Sequence, residues 1–233
     1  MGIPMGLQYS ITAIGSVILQ TAVNSMGETI VAAVAAGTKI SMFACCPFDA
    51  MGSTMATYGG QNVGAGKLDR IHQGLKDCTK LGFLYSVLAL IFMIIFGQKL
   101  ALLFVDAKET QLIHYIYVFL IGNAAFYTLL TLVNVVRFMI QGLGYPTFAI
   151  LAGVCEMFAR GIVGFFLVPA FGYICVAIAS PVAWLCADLF LVPAYFYVMH
   201  RLRDKLSPEQ SEKVQDSASR NTAIHYKTAE KIS

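Results

Sequence analysis

The chain has 233 residues, of which 58% are hydrophobic and only 12% charged, whereas roughly a quarter of the residues of a soluble domain are charged. That balance excludes a soluble globular protein and predicts an all-α integral membrane protein. A formal net charge of +3 is too weak a bias to imply a nucleic-acid partner, and orientation is read from Lys and Arg in short loops.

Residues 5–23 carry no charge and match the roughly 20 apolar residues needed to cross a hydrocarbon core. They lack the basic leader and cleavage site of a signal peptide. Gln8, Thr12 and Ser16 recur every four residues and share one helix face. Such a face either hydrogen-bonds to neighbouring helices or lines a polar cavity. The second predicted span, 29–58, is interrupted by Lys39, Pro47 and Asp49. Lys39 lies about 15 Å from its start, near mid-membrane, where a lysine is costly and faces protein or water. A counter-charge in a transport pathway and a structural ion pair both fit it.

The stretch 59–76, GGQNVGAGKLDRIHQGLK, is polar, basic and glycine-rich, and is predicted to be a cytoplasmic loop because Lys67, Arg70, Lys76 and Lys80 cluster there. Its glycines do not make a phosphate loop, since Lys67 is not followed by Ser or Thr. The third span is placed at 81–96, and the apolar piece 100–105 in the opposite interface. The fourth, 112–136, carries Asn123, Tyr127, Thr131 and Asn134 within about 80° on a helical wheel. Arg137 follows, and is expected to pair with Asp49 at similar depth. QGLGYP, 141–146, breaks the helix.

The fifth span, 148–168, places Glu156 and Arg160 at the i, i+4 spacing of an ion pair, with Gly153, Gly161 and Gly164 near the same face as a close-packing seam. The sixth, 174–199, contains Asp188 and two prolines, Pro181 and Pro193, expected to kink it. Arg201, Arg203 and Lys205 close it on the cytoplasmic side. Six spans with both termini cytoplasmic result, followed by a polar tail, 204–233, expected to be disordered. The six cysteines read as buried thiols, Cys45 and Cys46 lack metal-ligand spacing, and the four histidines stand apart. No reactive constellation points to an enzyme or a metal site.

GIPMGLQYSITAIGSVILQTAVNSMG, VAAVAAGTKI, MATYGGQNVGAGKLDRI, IQGLGYP and ADLFLVPAYFYVM, in this order and spacing, resemble the C-terminal half of a bacterial multidrug and toxic compound extrusion (MATE) transporter. The resemblance covers nearly all of residues 2–200. It implies a plasma-membrane secondary antiporter that expels cationic, often aromatic drugs in exchange for Na+ or H+, with no other cofactor. In this family two six-helix lobes enclose a central cavity, and this chain would supply the second. Thr12 stands where other branches place an acid, and the fourth span lacks the acid found there, so the cation-site roles do not carry over. The positions expected to face the cavity are Gln8, Thr12, Asn123 and Tyr127, with Lys39 beside them. Asp49, Arg137, Glu156, Arg160 and Asp188 are the structural ion-pair candidates. A first lobe on another chain, or a second copy, is expected to cover the polar face, and Met1 reads as an internal methionine of a longer protein. The alternatives are a flippase of lipid-linked oligosaccharides, which needs basic residues facing the cavity, and a membrane subunit that binds a partner without transporting.

Overall fold

The computed structural model describes residues 2–205, with side chains from Gly6 onward; all but the start of the predicted tail lies outside them. Among the described residues the chain is helical throughout: α1 Gly2–Asn24, α2 Glu28–Gly64, α3 Leu68–Ala101, α4 Thr110–Ala124, α5 Tyr127–Gly142, α6 Pro146–Ile162, a π-helical stretch Val163–Leu167, α7 Val168–Phe171 and α8 Tyr173–Lys205. Residues up to Tyr195 make one compact unit and those from Phe196 a second. The described part of the second is the last turns of α8, where His200 and Asp204 stand 3.6 Å apart and Arg203 and Lys205 occupy the final turn.

Four segments, Glu28–Gly64, Leu68–Ala101, Pro146–Phe171 and Tyr173–Lys205, are long and apolar enough to cross a membrane, and the bent pair α4–α5 makes a fifth. The sixth expected span, α1, has the length at 23 residues. Its hydropathy is diluted by Gln8, Ser10, Thr12, Ser16, Gln20 and Thr21, and it lies against α6 within the bundle.

Three expectations are corrected. The stretch 59–76 is not a loop: α2 runs on to Gly64 and α3 begins at Leu68, leaving only a turn with Gly66 at φ +68°. The glycines that suggested a loop serve packing instead. A Cβ on Gly59 would sit 2.7 Å from Met139 Sδ, and one on Gly60 3.3 Å from the Gly142 carbonyl. Arg70, Lys76 and Lys80 therefore ride on the first turns of α3, with Lys67 just ahead of it. Second, 112–136 is not one helix but two, bent by 51° around Ala125 and Phe126. At the break Phe126 N–H donates to the Asn123 carbonyl three residues back at 3.1 Å, and Asn123 Nδ2 donates to the carbonyls of Phe119 (2.8 Å) and, on α8, Ala177 (3.3 Å). Third, Gly161 has open space around it and takes no part in the seam.

The remaining small residues do bring helices together. A Cβ on Gly15 of α1 would lie 2.9 Å from Met157 Cα of α6, and Gly153 and Gly164 continue that seam against Thr12 and Ala22. On α2, Gly37 and Gly52 make room for the rings of Phe119 and Phe138. At the centre Phe48 meets Tyr85 and Tyr127 edge-on at 5.0 and 5.4 Å, and Tyr127 leans on Trp184 at 6.2 Å. QGLGYP turns the chain as expected, with Gly144 at φ +89° and Pro146 opening α6, while α8 is helical through both Pro181 and Pro193.

A charged cleft between five helices

A cleft of about 160 Å³ opens between α1, α2, α5, α6 and α8. The helices supply it through i, i+4 pairs: Gln8 and Thr12 from α1, Cys45 and Asp49 from α2, Asn134 and Phe138 from α5, Glu156 and Arg160 from α6. Arg137 of α5 and Trp184 of α8 complete its walls. Tyr9 and Asp49 are exposed at its mouth, whereas Gln8, Arg137, Glu156 and Arg160 are buried.

Glu156 is the hub. One of its carboxylate oxygens accepts from Arg160 Nη1 at 3.1 Å, the i, i+4 pair read from the sequence. The other accepts from Arg137 Nη2, so the predicted Asp49–Arg137 pair is not formed. The reason is geometric: α5 and α6 are joined by a three-residue turn, which brings Glu156 back alongside Arg137. Asp49 instead accepts from Asn134 Nδ2 at 3.4 Å. At the neighbouring turn of α5, Gln141 Nε2 donates to Gln8 Oε1 and ties α1 to the cluster. A helical wheel of α1 cannot reveal that partner; the only hint is that Gln141 lies four residues beyond Arg137.

Asp188 of α8 is 6% exposed, its charged neighbours are Arg137 and Glu156, and neither of its carboxyl oxygens has a hydrogen-bond donor among the described residues. Arg137 Nε is likewise without an acceptor there. The charged groups that line the cleft, Asp49 and Glu156 against Arg137 and Arg160, balance when all are ionised, and Asp188 neighbours Arg137 and Glu156 without being one of the lining residues.

The other candidates lie elsewhere. Asn123 is spent on the carbonyls of Phe119 in α4 and Ala177 in α8, and Tyr127, 1% exposed, is packed among aromatic rings. Thr131 Oγ1 lies 3.1 Å from Ser86 Oγ on α3. The polar stripe of the fourth span is thus divided among three neighbouring helices. Lys39 is exposed on α2 and is absent from the cleft.

Long apolar helices around a buried Arg–Glu–Arg cluster define a multi-span membrane protein with an ionisable interior, the arrangement expected of transport proteins. The sequence profile of the MatE family matches residues 4–167, and the chain belongs to that family. Among solved structures the fold is similar to a MATE protein in complex with MaL6, with a TM-score of 0.80 at 17% identity, over 88% of this chain and 46% of that one. It is similar also to an outward-facing multidrug resistance MATE family transporter of the MOP superfamily, with a TM-score of 0.79 at 17% identity over 87% and 46%. A MOP superfamily transporter from Pyrococcus furiosus matches at 0.73 and 16% identity over 86% and 45%. The chain spans about half the length of these structures. No curated protein sequence matches it.

Proposed function

We propose that the chain forms the second lobe of a MATE-type secondary antiporter in the plasma membrane, exporting cationic or aromatic compounds in exchange for Na+ or H+. The observation that carries this reading is the cleft, where the buried Glu156, Arg137 and Arg160 share one polar space with the exposed carboxylate of Asp49. A coupling ion and a cationic substrate that compete for the Asp49 carboxylate at the mouth of the cleft bias the lobe toward different states. The flippase alternative needs free cationic groups toward the cavity, whereas both arginines here are engaged by Glu156. The half-length match to complete transporters supports a first lobe as the partner, and the basic residues at 67–80 and 201–205 favour cytoplasmic termini.

The test is to express the chain with and without a first MatE lobe in cells lacking their own efflux pumps and to follow ethidium accumulation. Accumulation should fall only when both lobes are present, and should rise again with Glu156→Gln. If both lobes insert and accumulation never changes, the non-transporting reading replaces this one.

A further inference from the structure

A second cavity, of about 510 Å³, lies between α2 and α3 near the end where α2 begins and α3 finishes. That volume falls within the roughly 300–1,000 Å³ typical of ligand sites. Its walls are Ile40 and Phe43 of α2, Tyr85 and Phe92 of α3, and Leu103 and Phe104 just beyond α3. The one hydroxyl among these is spent, since Tyr85 donates to the Ala44 carbonyl at 2.9 Å. The apolar piece 100–105, placed in the interface from sequence, folds over as a wall of this groove. The groove opens to the outside of the lobe, where Phe43 is 78% and Leu103 75% exposed.

Two lysines flank it. Lys39 precedes Ile40 and shares a face of α2 with Phe43, and Lys99 lies one turn before Leu103 with its Nζ 5.8 Å from the Phe96 ring centroid. Both are exposed, and neither forms an ion pair among the described residues. An apolar slot flanked by two unpaired ammonium groups repels cations and suits an amphiphile with a negative head. Lys99 stands two residues before the end of α3, and the four-carbon stem of a lysine at position 39 is long enough for its ammonium to snorkel toward that end.

We infer that this groove is a binding site for an anionic phospholipid of the bilayer, with one acyl chain between α2 and α3 and the phosphate held by Lys99 and Lys39. The site is independent of the charged cleft and of whether the protein transports.

The test places a photoreactive benzoylphenylalanine at Phe43, or at the exposed Phe166 as a control, in the full chain held in nanodiscs of equal phosphatidylglycerol and phosphatidylcholine. After illumination, mass spectrometry reads which lipid is attached. Position 43 should capture phosphatidylglycerol over phosphatidylcholine by roughly fivefold or more, the order that a single lysine near an anionic surface gives, while position 166 shows no such bias. Lys39→Gln with Lys99→Gln should remove the preference at 43 and leave the yield of adduct. Equal capture of the two lipids at 43, a preference that survives loss of both lysines, or crosslinks to a second protein chain instead of lipid would overturn the inference.

Discussion

The Arg137 guanidinium reaches across the α5–α6 turn to the same carboxylate that Arg160 holds from within α6, so among the described residues Glu156 is the one anion bonded to two buried cations. Removing it leaves Arg160 without a bonded anion and Arg137 with only the unbonded Asp188 nearby in a low-dielectric interior. Breaking a buried pair in this way costs about 3–5 kcal/mol. Glu156→Gln should therefore lower the detergent melting temperature more than any other single change in the cleft. Adding Arg160→Gln to that variant should recover part of the loss, because it removes one of the stranded charges. Thermal melting of the two variants side by side checks both statements.

Asp49 provides the contrast. It is exposed, and its one hydrogen bond comes from the Asn134 amide. A bond of this kind contributes about 0.5–1.5 kcal/mol, and an Asn side chain at 49 still offers an oxygen to it. Asp49→Asn should melt within about 1 kcal/mol of the parent while removing a negative charge at the mouth of the cleft. If the Asp49 carboxylate draws in cations, this variant should bind a fluorescent organic cation several-fold more weakly at unchanged stability, as titration in detergent would read.

Much of this arrangement is legible in the amino-acid sequence. The Glu156–Arg160 pair follows from helix periodicity alone, and the breaking power of QGLGYP from its glycines and proline. Partners on different helices do not, which is why Asp49 was matched to Arg137 by depth when the α5–α6 turn gives that arginine to Glu156. Depth along a span is one coordinate; rotation and neighbour identity are the others, and composition does not encode them. The 59–76 stretch failed for a different reason. Glycine and charge signal a loop in water-exposed sequence, but in a membrane bundle glycine also permits close packing, and a helix continues past the membrane with its charges solvated.

The α1–α6 seam yields a paired prediction from two glycines on neighbouring helices. At Gly15 any side chain runs into the Met157 backbone, which cannot rotate away, whereas Gly161 faces open space. Gly15→Val should cost about 1–3 kcal/mol through overpacking. Gly161→Ala should be neutral or stabilising by about 0.5–1 kcal/mol, because alanine replaces glycine in a helix interior. Melting curves that rank these two the other way would show that α1 does not pack against α6 in the manner described.

The continuous α2 makes the most direct claim about topology, because a loop at 59–76 and a helix to Gly64 predict different backbone protection. In the helix the amides of residues 59–64 are hydrogen-bonded to carbonyls one turn earlier, and the chain leaves that ladder only at the turn, where Ala65 donates to Gln61 at 3.1 Å and Lys67 to Asn62 at 2.9 Å. Hydrogen exchange should therefore find 59–63 protected, as part of one unit with the preceding turns of α2, and should find protection resuming within α3 a few residues after Leu68. Gly66→Val tests the turn itself, since φ +68° at that position is strained for a β-branched residue. That substitution should raise exchange at the ends of both helices while leaving the middle of α2 unchanged. Uniformly fast exchange from 59 through 76 in the parent would instead restore the loop.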